Sequence, residues 1–478
     1  MAKKKGIKIA MVGIDTYDGE RIQLPARMTL PKAIEVLTRE NARLSEEVHL
    51  QEVIEGFVPD VAHAFYRAAE QIFGYVHTRK SLFRGASEIT VRSGVNESVQ
   101  VPVGRFELPG VDGTFATDTE FDPATHRYKM ALHANILRRD EAVFHDMVAA
   151  TRKYLAEHSI YKGKAFRLSL NDSDGNAIPF PEPQFIRIDT TLKDRLIFAA
   201  DVDAAIRTSV FAPITHREKG RARGLSPKRG VLLHGTFGTG KSMTSAAVAD
   251  LATANGWTFI HAEDATELSD ILRLAREYAP SVVFAEDVDK VTSGRRTLSM
   301  DELLNVVDGI ESKNSDVMVV FTTNTVHNIN PAMLRPGRLD SVIEVKPPDA
   351  QAVTRLILQY GDGLVSEEEN LLEIGLMLAG EVPAVVEEVV KRSKWAAIDR
   401  DPEADLGPGA ITADDLMVAA LSMKNQIDLL RGEQPDDRSD PEKAAAITAE
   451  AIRTLAPVSS AKQSANGSSE AVAAAATA

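Results

Sequence analysis

The octapeptide Gly235-Thr236-Phe237-Gly238-Thr239-Gly240-Lys241-Ser242 fits the pattern G-x-x-x-x-G-K-[ST]. Its flanks suit it. Gly230-Val231-Leu232-Leu233-His234 is an apolar run of strand type, and residues 243–254, beginning at Met243, carry a helical pattern. In a strand, glycine loop and helix unit, the glycines let backbone N–H groups turn toward phosphate oxygens, and the helix N-terminus adds positive potential. Gly235 to Ser242, with Met243 behind them, are therefore the expected phosphate cradle. Lys241 is expected to reach the β- and γ-phosphates, and Ser242 to place its hydroxyl on Mg²⁺.

Outward from the loop, short apolar runs alternate with helical patterns from about Thr190: residues 230–233, 258–261, 281–285, 317–322 and 341–345. Buried strands separated by helices predict a parallel α/β sheet. Pro347-Pro348 closes that block, and residues 351–360, 367–379, 382–400 and 412–427 then read as helices only. The expected fold is α/β: a P-loop parallel sheet over residues 190–347 and an all-α lid over 348–430. A separate α+β N-terminal domain over 1–189 precedes them, and a disordered tail over 431–478 follows.

The run Ser281-Val282-Val283-Phe284-Ala285-Glu286-Asp287 is an apolar strand ending in acids. Phosphoryl transfer needs one carboxylate near Mg²⁺ and a second to orient the attacking water. Glu286 is the candidate for the metal side and Asp287 for the water side.

Residues 317–340 contain Val317-Met318-Val319-Val320-Phe321-Thr322-Thr323-Asn324, then Ile329-Asn330-Pro331-Ala332-Met333-Leu334-Arg335-Pro336-Gly337-Arg338-Leu339-Asp340. This block resembles the second region of homology of AAA ATPases, and Lys228-Arg229-Gly230-Val231-Leu232-Leu233-His234-Gly235 looks like that family's lead-in to its phosphate loop. The resemblance covers about residues 190–425. It implies ATP and Mg²⁺ as cofactors and a homo-oligomeric ring, usually a hexamer. It also implies Asn324 as the sensor of the γ-phosphate or attacking water. Arg335 and Arg338 would be the fingers that reach a neighbouring subunit's nucleotide, where a guanidinium fork neutralises charge on the transferring group. Gly380, in Leu378-Ala379-Gly380-Glu381-Val382-Pro383, looks like the helix start that approaches adenine, with Phe198 to Asp201 facing the base from the other side.

Three departures stand out. The family's usual Pro-Pro in the loop is Thr236-Phe237. The acids run Glu286-Asp287 instead of Asp-Glu, which shortens the water-side carboxylate, and misplacement of about 1 Å can cost on the order of a hundredfold in rate. Protein-threading members carry an aromatic–hydrophobic–glycine pore loop where this chain has His261-Ala262-Glu263-Asp264-Ala265-Thr266-Glu267-Leu268-Ser269, short and acidic. Arg295-Arg296 is an alternative pore element, read against a solvated turn.

The 478 residues are 44% hydrophobic and 26% charged, which fits a soluble globular chain. No apolar stretch is long enough to span a membrane, and the start lacks a signal peptide, so a cytoplasmic location is expected. Absence of cysteine excludes thiolate chemistry. The net charge of −14 argues against a broad nucleic-acid face. In the N-terminal region, residues 31–58 and 61–76 read as helices, 88–108 as a hairpin turning at Gly94-Val95-Asn96, 140–158 as a helix and 171–183 as a loop. Two functions fit: an ATP-hydrolysing oligomeric remodeller of a protein client or assembly, and a nucleotide-gated assembly scaffold with slow or no turnover.

Overall fold

A computed structural model describes residues 28–79, 88–191, 195–227, 229–288, 316–329, 339–366, 369–403 and 405–431. Expectations at Lys228, Arg295, Arg296, Arg335 and Arg338, and for the tail beyond residue 431, lie outside these residues.

The first region builds an antiparallel sheet. Its strands are β1 (Glu47–Ile54), β2 (His77–Arg79), β3 (Glu88–Arg92), β4 (Ser98–Pro102), β5 (Gly104–Glu107), β6 (Gly113–Asp122) and β7 (Arg127–Leu137). Five of them run in the order β1-β7-β6-β5-β2, and β3 and β4 form a separate hairpin. Helices Val58–Phe73 and Glu141–His158 pack on each other and on this sheet. Val61, Ala62, Phe65, Ala68 and Ala69 repeat at helical spacing and are buried against Phe106, Phe115 and Phe144.

The helix expected over residues 31–58 is corrected here: it ends at Leu44, and β1 follows. Leu44 and Val48 stand four apart and so suit a helix. From Glu47 onward, however, exposed and half-buried positions alternate, and each residue pairs across to β7, from Glu47 with Leu137 to Ile54 with Met130.

The second sheet holds the phosphate loop. It comprises β8 (Ala165–Leu168), β9 (Gln184–Phe185), β10 (Arg229–His234), β11 (Thr258–Ala262), β12 (Ser281–Ala285), β13 (Val317–Thr323) and β14 (Ser341–Glu344). The order is β14-β10-β13-β12-β11-β8-β9, parallel except for β9. β12 and β13 are buried along their whole lengths, as strands covered on both faces must be.

The boundary expected at 189/190 is also corrected, because β8 lies upstream of it. Ala165 to Leu168 pair in parallel with Phe259 to Ala262 and satisfy backbone groups that would otherwise form an open edge.

The two regions share a core. Phe57, Tyr161, Phe166 and Tyr278 cluster with ring centroids 5.0–5.9 Å from Phe57. Phe57 N–H donates to the Tyr278 hydroxyl at 2.9 Å. Asp60, fully buried, accepts from Ser159 Oγ and from Ile160 N, and burial pushes its carboxyl up to about 6. Arg127 reaches Asp270 at 2.7 Å.

Beyond β14, helices Ala350–Gly361, Leu372–Leu378, Pro383–Arg400 and Ala413–Arg431 enclose their own cluster, including Val353, Leu356, Ile374, Val386, Val389 and Leu416. No helix among the described residues is long and apolar enough to cross a membrane.

Candidate functional site

The loop at residues 235–240 joins β10 to the helix Lys241–Ala254. A Cβ on Gly235 would stand 2.3 Å from the Val345 carbonyl oxygen, so no other residue fits that approach. Gly240 caps the helix at φ 99°, a backbone conformation that glycine adopts without strain. Lys241 is buried, and its Nζ donates to the carbonyls of Gly235 and Thr236 at 2.8 and 2.7 Å. Thr239 Oγ1 donates to the Thr236 carbonyl at 3.0 Å. Ser242 is exposed on the first helical turn, with Met243 half-buried beside it. Phe237, at the tip, is 76% exposed.

β13 runs between β10 and β12, with His234 opposite Thr323 and Ala285 opposite Phe321. The carboxyl ends of these strands therefore bring the loop, Asn324 and the acid pair to one edge of the sheet, where open α/β sheets bind ligands. Asn324 Nδ2 donates to Asp287 Oδ1 at 2.9 Å. Asp287 N–H donates to Thr322 Oγ1 at 3.3 Å, and Asp287 itself stands at φ 50°. The shorter acid is thus pinned to β13 by its neighbours. Glu286 is half-buried beside it. His261, at the end of β11, lies within the field of Glu286, yet burial holds its imidazole below the usual range.

Sequence reasoning missed how tightly the loop is bracketed. A Cβ on Gly238 would meet Val382 at 3.3 Å, and one on Gly240 would meet the Phe198 ring at 3.3 Å. Arg355, on the helix Ala350–Gly361, donates to the Phe198 carbonyl at 2.6 Å. Phe198 and the segment at Gly380 therefore flank the loop from two sides. Gly380 itself has φ 85° and donates its N–H to the Pro348 carbonyl at 3.0 Å. Phe198 and Gly380 were both named from the sequence, but their approach to the loop was not, and Val382 beside the helix start was not singled out.

The stretch 261–269 folds down. His261 and Ala262 are the last two residues of β11, Asp264 caps a short 3₁₀ turn by accepting Thr266 N–H at 2.8 Å, and buried Glu267 accepts Leu170 N–H at 2.7 Å. Burial raises the Glu267 carboxyl above its ordinary range.

No group of three or more His, Asp or Glu side chains able to hold a metal ion occurs among the described residues. Ser242, exposed, and Glu286, half-buried, offer oxygen donors of the type that a hard cation takes.

Fold and site define a P-loop nucleotide-binding α/β module. Residues 231–347 match the model of the ATPase family associated with various cellular activities (AAA). The chain is 32% identical to a proteasome-activating nucleotidase of Aeropyrum pernix over 252 residues, 48% of this chain and 59% of that one. It is 35% identical to a probable 26S proteasome regulatory subunit 4 of Caenorhabditis elegans over 186 residues, 35% and 42% of the two chains. It is 28% identical to a cell division cycle protein 48 homolog of Archaeoglobus fulgidus over 250 residues, 48% and 34%. The chain carries an AAA-family ATPase domain. It spans between 34% and 59% of the length of these curated relatives.

Proposed function

We propose that this chain is an oligomeric AAA remodeller that hydrolyses ATP to act on a protein client. The observation that carries the reading is the convergence of the phosphate loop, Glu286, Asp287 and Asn324 at one sheet edge, with Asn324 holding Asp287. In this reading, backbone N–H groups of residues 235–242 cradle the phosphates. Lys241 leaves the Gly235 and Thr236 carbonyls to reach the β- and γ-phosphates. Ser242 and Glu286 would hold Mg²⁺, which when bound neutralises charge on the phosphates. Asp287 orients the attacking water, and Asn324 fixes the carboxylate that does so. Phe198 and the Gly380 segment wall the base. Arg335 and Arg338 act on the neighbouring subunit's nucleotide, so the active form is a ring, which we place at a hexamer.

The experiment is ATP turnover by the purified full chain, with its oligomeric state measured in the same sample. Turnover that matches a Lys241→Ala control would overturn the reading.

A nucleotide-gated scaffold with slow turnover is the second reading. It is favoured by the pinned, shorter Asp287 and by the folded-down, acidic 261–269 stretch, which offers no aromatic grip. ATP-dependent loss of structure in a client protein would exclude it.

A further inference from the structure

The strand starts of the parallel sheet carry a charge bias opposite to that of the chain. Residues 217–229 hold six lysines and arginines against one acid, Glu218, within a chain of net charge −14. The fold gathers this run at the amino edge of the sheet, opposite the phosphate loop. Arg229 opens β10, and Asp316 immediately precedes β13. On the short helix Arg217–Arg221, Arg217 Nε and Arg221 Nη2 both reach Asp316, at 2.6 and 2.9 Å. Lys162, just before β8, joins them: burial and the Arg217 charge hold its ammonium below the usual range.

Six cations, Lys162, Arg217, Lys219, Arg221, Arg223 and Arg229, thus meet three acids, Glu218, Asp316 and Asp340, the last accepting Gly230 N–H at 3.1 Å. The pairs Lys164–Glu97 and Arg207–Asp203 beside them are internally neutral. Lys219, Arg223 and Arg229 form no ion pair among the described residues, and Lys219 is exposed together with the whole turn 221–226.

The chain itself holds a run of the complementary sign. Residues 433–442 carry five acids, Glu433, Asp436, Asp437, Asp440 and Glu442, against Arg438. This run follows directly on the helix Ala413–Arg431. Arg392 lies 3.5 Å from Ser422, and Arg400 2.9 Å from Asp415, so the helices Pro383–Arg400 and Ala413–Arg431 run antiparallel. Nine residues separate Arg392 from Pro383 and Ser422 from Arg431, so the second helix ends level with the start of the first. That start follows Val382, which stands against Gly238 of the phosphate loop. The acidic run therefore leaves at the nucleotide edge, whereas the basic patch lies at the opposite edge, roughly 20 Å away along β10. Glu433, Asp436 and Asp437 can reach only about 7–21 Å beyond Arg431 when fully extended. That is too short to pass around the sheet to the patch of the same copy.

We propose that the acidic run 433–442 of one copy docks on the Lys219, Arg223 and Arg229 patch of a second copy. The inference rests on the oligomeric part of the reading above and names a contact that joins the copies. Exposed ion pairs are each worth little, so the contact acts through several together and weakens with salt. It ties the lid of one copy, whose helix start meets the phosphate loop, to the strand starts of the next.

The chain lacks cysteine, so introduced cysteines report the contact cleanly. Full-length copies carrying Leu225→Cys, 60% exposed within the patch, are mixed with copies carrying Ser439→Cys and mildly oxidised. Val418→Cys, 61% exposed on the lid, replaces Leu225→Cys in the control mixture. The Leu225 and Ser439 mixture should give at least about tenfold more cross-linked heterodimer than the control at about 50 mM NaCl, and lose that excess at about 0.5 M. Lys219→Glu with Arg223→Glu in the first copy should abolish the excess, and Asp436→Lys with Asp437→Lys in the second should then restore it. Equal yields from the two mixtures, indifference to salt, or no rescue by the combined reversal would each overturn the proposal. So would a purely intrachain product from a chain carrying both cysteines. A patch reversal that abolished binding of a single-stranded oligonucleotide, with no cross-link excess in the parent mixture, would assign the patch to nucleic acid instead. ATP turnover measured on the same samples keeps the two claims apart. Turnover without the cross-link excess would sink the contact and leave the remodeller reading standing, and an excess without turnover would do the reverse.

Discussion

One face of the parallel sheet is covered by the ATPase module's own chain, and the other depends on residues from far upstream. On the first face, Val248, Ala249 and Ala252 of the helix behind the phosphate loop pack with Val202, Ile206, Val210 and Trp257. On the second, Leu268, Ile271, Leu272 and Ala275 are joined by Phe57 and Tyr161. The difference teaches that nucleotide chemistry and mechanical attachment occupy different parts of one sheet. The loop, the Glu286-Asp287 pair and Asn324 gather at its carboxyl edge, whereas the upstream region is bonded through its second face and its β11 side.

The comparison can be broken most strongly at Phe57. Phe57→Ala removes a ring buried among Tyr161, Phe166 and Tyr278 and should cost about 3–5 kcal/mol of stability in denaturant unfolding. Lys241→Ala attacks the other side of the contrast. It should lower ATP turnover by on the order of a hundredfold or more, with a much smaller change in melting than Phe57→Ala.

The third prediction concerns Asp60, whose carboxyl rises from 3.8 to about 6 in the folded chain. The folded state then holds this proton more tightly than the unfolded state. Its contribution is present in full below about pH 4 and is lost as pH rises through about 6. Asp60→Asn should remove that loss, which amounts to about 3 kcal/mol. Unfolding of both proteins between about pH 4 and pH 7 checks the sign, the variant's stability relative to wild type rising with pH. The smallest effect is expected from Tyr278→Phe. It leaves the buried Phe57 N–H without its acceptor and should cost about 1–3 kcal/mol, with turnover little changed.

The nucleotide edge was legible because its signals are local. Glycines at 235, 238 and 240, a lysine at 241 and apolar runs ending in acids or Asn324 each announce themselves within a few residues. β12 begins and ends where the apolar run does, and β10 and β13 lie within a residue or so of it. The junction was not legible, because it is made by single aromatic residues brought together across more than 200 positions, Phe57 and Tyr278 being separated by 221. β8 is only four residues long and looks like part of a loop-rich stretch until β11 offers it a partner. The Asn324–Asp287 bond lay between these cases: both residues were named, but only the alignment of β12 with β13 brings them together.

The pairing of β8 with β11 has a practical consequence. A fragment cut at residue 190, where the sequence texture changes, would lose Ala165 to Leu168 and bare the backbone of Phe259 to Ala262. A raw parallel edge of apolar residues recruits other chains and is a seed for precipitation. A soluble excised ATPase would have to begin before Tyr161, carrying with it a stub of the upstream region.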